Sequence, residues 1–163
     1  MTTAARYPPR RLEGRGVSGP EFFELLRADT EFCAQLGQAM LAAGRLETEL
    51  KRYLRRQKPE LDTRYANLGS LVRALKKFSL LEKMQPVLDI LNGQRNYLAH
   101  SIHALLSDWI EQTILEREGL LDSDLIAYHE RAWQLTENLN GLADIVQREN
   151  AVVGPPTAAR AAA

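Results

Sequence analysis

Only one cysteine, Cys33, occurs in the 163 residues. No intramolecular disulfide can form, and a reducing compartment is the simplest setting. Cys33 stands between Phe32 and Ala34 in a helical pattern, which predicts an inert thiol buried in the core. No apolar run approaches the ~20 residues needed to cross a bilayer. The first residues hold no apolar stretch of the signal-peptide kind. The expectation is a cytoplasmic protein with no membrane partner. Net charge is missing too: 21 Lys+Arg balance 21 Asp+Glu, so charge alone gives no reason for wholesale nucleic-acid or membrane binding. Two-residue alternation, hairpin dipeptides and internal repeats are absent, and nothing predicts a sheet.

What is present is helical periodicity. The hydrophobic share of 45% is that of a globular domain and excludes disorder. Residues 1–19, with prolines, glycines and four arginines, read as a flexible basic lead-in. Residues 20–150 form the expected helical domain and 151–163 a loose tail. Pro20 suits the first turn of a short helix, with Ser18 as a cap. Asp29 and Thr30 offer a second N-cap. From there Phe32, Leu36, Ala39, Ala43, Leu46, Leu50 and Tyr53 make the seam of a long helix, ended by Pro59. Gly37 and Gly44 interrupt it, and close approach of another helix would explain them. Leu68, Leu71, Val72 and Leu75 mark a short helix, and Ser79 with Glu82 has capping-box spacing. Asp122 or Ser123 is expected to cap a last long helix on Leu125, Tyr128, Ala132, Leu135, Leu139, Leu142 and Val146. The predicted fold is all-α, a bundle of about three long helices with one or two short ones.

Charge is uneven along this bundle. Residues 51–77 carry nine cations against Glu60 and Asp62, and residues 108–124 carry six acids against Arg117. The two segments could pair with each other, or the basic one could meet phosphates.

The most informative stretch is residues 88–107. Its apolar positions Leu88, Leu91, Leu98, Ile102 and Leu105 keep helical spacing, except that Arg95 occupies the one gap. An obligate cation is rarely buried there without a partner. Asn92, Asn96, His100, His103 and Ser107 form a polar edge beside the seam. The structural explanation is an ion pair of Arg95 with Asp89 or Asp144 and a satisfied buried His100. His100 and His103, three apart, could share a metal, but no carboxylate sits at the matching turn, so no metal or other cofactor is expected. His129 is expected to be exposed, and Trp109 and Trp133 to lie in the core or an interface.

The catalytic explanation begins from geometry. Arg95 and His100 differ by about 7.5 Å of rise and about 140° of rotation on an α-helix, so one helix does not aim both at one atom. A two-fold axis sets the same patch against itself, and Arg95 of one subunit could then approach His100 of the other. Guanidinium matches phosphate oxygens, and imidazole can move the proton of a ribose hydroxyl near neutral pH.

The string Arg95-Asn96-Tyr97-Leu98-Ala99-His100 resembles the R-X4-6-H signature of the HEPN domains, in which a polar residue often follows the arginine. The placement on a late helix of a small α-bundle is similar as well. The resemblance implies a homodimeric, metal-independent endoribonuclease, often a toxin or a phage-defence protein. In it His100 acts on the 2′-hydroxyl, Arg95 stabilises the charge on the phosphorane, and Asn96 orients the phosphate or the histidine. The products would be a 2′,3′-cyclic phosphate and a 5′-hydroxyl. Asn92 and His103, on the same edge, and Tyr97, one position off it, are the candidates for substrate contact. The implied partners are RNA, a second copy of the chain and an antitoxin protein. Toxins of the family that are controlled by nucleotidyl transfer carry a tyrosine two residues after the histidine. Ile102 stands there instead. A catalytically inactive helical dimerisation or ligand-binding module is the alternative.

Overall fold

Two helices of nearly equal length carry the architecture. The computed structural model describes residues 13–98 and 119–152. In chain order the elements are β1 (Gly16–Val17), α1 (Gly19–Ala28), α2 (Thr30–Gln57), α3 (Leu68–Lys77), a 3-10 turn (Glu82–Met84), α4 (Gln85–Asn96), β2 (Leu120–Leu121) and α5 (Asp124–Val152). The fold is an all-α bundle, as the periodicity predicts.

Helices α2 and α5 make the most extensive contact and run in the same direction. Phe32 near the start of α2 meets Tyr128 and His129 near the start of α5. Glu49 late in α2 meets Asn150 late in α5. All seven seam positions of α5 are buried, and so are Leu68, Leu71, Val72 and Leu75 of α3. Each buried leucine or valine among them contributes roughly 1.5–3 kcal/mol on burial. Polar groups tie the far end: Asn150 Nδ2 donates to the Glu49 carboxylate at 3.0 Å and to the Glu49 carbonyl at 3.1 Å, while Arg52 donates to both Glu49 oxygens. Among the described residues Gly37 and Gly44 mark no helix crossing: a Cβ at either would meet nothing within 4 Å, and both are exposed on α2.

The helix starts follow local chemistry. Ser18 and Glu21 form a capping box, with Ser18 N–H donating to Glu21 Oε2 at 2.9 Å. Asp29 caps α2 by accepting from Phe32 N–H at 2.8 Å. Asn67 caps α3, accepting from Ser70 N–H at 3.0 Å. Glu47, from α2, accepts the Leu68 N–H at 2.9 Å, a carboxylate on the positive end of α3.

Ser79 and Glu82 make no capping box. Ser79 is instead the left-handed residue that closes α3, at φ +50°. Leu80 N–H reaches the Leu75 carbonyl and Ser79 N–H the Lys76 carbonyl, the Schellman pattern. Leu81 follows at φ +51°, and Gln85 Nε2 secures the corner through the Leu80 carbonyl at 2.8 Å. Pro86 then sits in the first turn of α4 and causes no kink.

The lead-in is structured from residue 13 onward. Gly16 and Val17 pair antiparallel with Leu121 and Leu120. Asp122 accepts the N–H groups of Glu13, Gly14 and Arg15. Asp122, one of the two residues expected to cap α5, is therefore a clamp on the N-terminal segment. Two-residue strands are too short to leave an alternation in the sequence. The rest of the lead-in (1–12), segment 99–118 and the tail from 153 lie outside the described residues.

Candidate functional site

The candidate motif begins in the last turn of α4. Leu88 and Leu91 are buried, and the next position of that stripe brings Arg95 to the edge of the core. Arg95 is half-buried, and its Nη1 donates to Asn96 Oδ1 at 3.1 Å. Arg95 and Asn96 therefore form one polar unit, as adjacent residues whose side chains turn toward each other. Both acids that the sequence offers as structural partners are engaged elsewhere. Asp89 pairs with Lys76 at 2.6 Å, and Asp144 pairs with Arg45. Just past Asn96, at residues 97–98, the helix widens into π geometry, a distortion that recurs at functional sites.

The other expected site residues are placed differently from one another. Tyr97, expected near the exposed edge, is in the core. It is 8% exposed, and its hydroxyl lies 2.9 Å from that of Tyr128. The π turn and the pull of a buried hydroxyl partner bring it inward. Asn92 Oδ1 lies against α3: a Cβ on Gly69 would stand 3.4 Å from it. His100, His103 and Trp109 lie outside the described residues, so the Arg95–His100 relation does too.

Three further side chains depart from expectation. Cys33 is exposed and lies beside an apolar hollow of about 350 Å³ that Phe23, Phe32, Leu36 and Leu98 help to line. His129 is mostly shielded, with Nε2 3.2 Å from Asp29 Oδ1 and its ring against Phe32. Trp133 is 55% exposed on α5. The basic segment is largely engaged locally: Arg64 with Asp62, Arg52 with Glu49, Arg55 with Thr63, and Arg56 with the Asn150 carbonyl. Lys58 and Lys77 flank the Phe78 ring at 5.0 and 5.6 Å. Of the acidic segment, Asp122 serves the lead-in, and Asp124 accepts the Leu121 N–H at 3.0 Å.

The α4 terminus also borders a cavity of about 170 Å³ against α5. Gln94, Tyr97, Leu98, Arg131, Gln134 and Leu135 line it. Nothing in the sequence singles out Arg131. It stands next to the seam residue Ala132, where a solvated arginine would be ordinary. The Tyr128 hydroxyl beside it is held neutral: burial, then the Tyr97 hydrogen bond, push this phenol well above its usual value.

Among the described residues no three His, Cys, Asp or Glu side chains are grouped to hold a metal. None of their helices is long and apolar enough to cross a membrane. No protein-family model, no curated protein and no solved structure matches the chain.

Proposed function

We propose that the protein is a metal-independent endoribonuclease of the HEPN type, acting in a toxin or phage-defence role, with a composite site at a homodimer interface. The reading rests on the motif, and the single structural observation that supports it is the state of Arg95. A half-buried guanidinium interrupts an apolar helix stripe. Its hydrogen bond to Asn96 orients the fork, as a phosphate-binding arginine requires. In this mechanism His100 takes the proton of the ribose 2′-hydroxyl. The 2′-oxygen attacks phosphorus, Arg95 stabilises the charge that builds on the phosphorane, and the 5′-oxygen leaves with a proton. The products are a 2′,3′-cyclic phosphate and a 5′-hydroxyl.

A second reading, a non-catalytic helical dimerisation module, is favoured by the outer face of α4. There Val87 is 46% and Ile90 59% exposed, an apolar pair suited to an interface. One experiment separates the two: RNA cleavage in the presence of a chelator by the wild type, His100→Ala and Arg95→Ala. Loss of about 100-fold in either variant is expected for an enzyme. A wild type that cleaves nothing, or a His100→Ala protein that cleaves equally well, defeats the catalytic reading. No cleavage by any of the three proteins, with dimer mass altered in both variants, would favour the module.

A further inference from the structure

We propose that the cavity between the end of α4 and the middle of α5 is an anion site that takes a phosphate group, held by Arg131 with Gln94 and Gln134. The proposal stands whether or not Arg95 and His100 cleave RNA.

Three observations carry it. First, Arg131 Nη1 is buried and has no hydrogen-bond partner among the described residues. Guanidinium does not give up its proton in proteins, so it cannot escape burial by becoming neutral. A buried cationic donor left without an acceptor costs more than a neutral one. Second, Arg131 lines the cavity, and no carboxylate does so among the described residues. Among the described residues the space has a positive charge and no counter-charge. Its volume of about 170 Å³ compares with ~30 Å³ for a water in the liquid, so a tetrahedral oxyanion with attendant water fits. Third, the donors converge from two helices. Gln134 follows Arg131 by three residues and so shares its face of α5, while Gln94 faces them from α4. The remaining walls are Leu98, Leu135 and the Tyr97 ring, which lower the local dielectric and strengthen each charged contact.

The set of donors selects among anions. A guanidinium presents a rigid fork, and each glutamine amide presents two further N–H groups. A carboxylate offers two oxygens to that ring, whereas a phosphate offers acceptors on every side and suits the fork bidentately. The phosphate could be free or part of a nucleic acid.

The test is a titration of inorganic phosphate into the full chain, followed by the side-chain N–H resonance of Arg131. Saturable binding of one phosphate per chain is expected. Arg131→Gln should weaken it by about tenfold or more, and Arg131→Lys, which keeps charge without the fork, by less. Gln134→Glu is the second variant, because position 134 is exposed and tolerates the change. Its carboxylate should occupy the guanidinium and abolish phosphate binding while the helical circular dichroism stays that of the wild type. Sulfate should compete and acetate should not. No saturable binding, equal binding by Arg131→Gln and Gln134→Glu, or acetate binding as well as phosphate, each overturns the proposal. A 5′-phosphorylated dinucleotide binding more tightly than inorganic phosphate would assign the group to nucleic acid, and equal binding would assign it to the free ion.

Discussion

The α2–α5 pair and the end of α4 use the same kinds of residue for opposite purposes. Along α2 and α5 the seam is apolar without a break, and the buried Glu49 and Asn150 answer each other. At the end of α4 the seam is broken by Arg95, the helix widens, and the neighbouring Arg131 has a buried nitrogen with no partner among the described residues. The first region resolves most of its polar groups internally, with Asn150 Nδ2 satisfied twice by Glu49 and only isolated oxygens such as Asn150 Oδ1 and Gln35 Oε1 left over among the described residues. The second leaves positive charge beside an open volume. The difference teaches where stability and where recognition reside: interactions completed within the chain hold the fold, and those left incomplete are available to a ligand.

The largest effect should come from damaging the first region. Leu139 is fully buried in α5, and Leu139→Ala should lower the unfolding free energy by about 2–5 kcal/mol in urea titration. A loss under ~1 kcal/mol would mean that the α2–α5 seam is not the stability centre.

Next in size is an alkaline effect at the boundary of the two regions. The folded-state pKa of Tyr128 is raised by burial and by the Tyr97 hydrogen bond, so its contribution is complete below the unfolded value of about 10. Above that pH the unfolded phenol loses its proton while the folded one keeps it. Stability should then fall by up to ~1.4 kcal/mol per pH unit. In Tyr128→Phe this fall should be shallower, although the variant starts about 1 kcal/mol lower at pH 7 through loss of the hydroxyl pair. Equal slopes in both proteins would disprove the assignment.

The smallest effect on stability should come from completing the broken seam. Arg95→Leu gives α4 the residue its periodicity asks for, and unfolding free energy should stay within ~1 kcal/mol of wild type or rise. RNA cleavage should be lost in the same protein. A large destabilisation would make Arg95 a structural residue and remove the contrast between the two regions.

How much of this was legible beforehand follows from range of interaction. The seams of α2, α3 and α5 depend on spacing alone, so all three helices could be read directly, as could the caps Ser18 and Asp29, whose partners are three residues away. Side chains whose partners are distant in sequence could not. Asp122 has the composition of a helix cap, yet it binds backbone more than a hundred residues earlier, and |i−j| is 109 for Glu13. Tyr97 resembled an edge residue until Tyr128, 31 positions away, drew it inward. Gly37 and Gly44 suggested a crossing, yet both are exposed on α2 and mark none among the described residues. Ser79 showed capping-box spacing, but its left-handed backbone serves the helix before it.

Arg95 is the clearest case of a residue legible from pattern, because a cation in an apolar stripe is visible without coordinates. Arg131 is the reverse, since an arginine beside a seam is ordinary until α4 packs over it. The sequence by itself determined the helices, their buried faces and the fault at Arg95, because periodicity and capping act within a few residues. Only the tertiary structure decided which polar groups find partners, which acids are already taken, and that a second guanidinium stands over a cavity, because those outcomes depend on segments brought together from opposite parts of the chain.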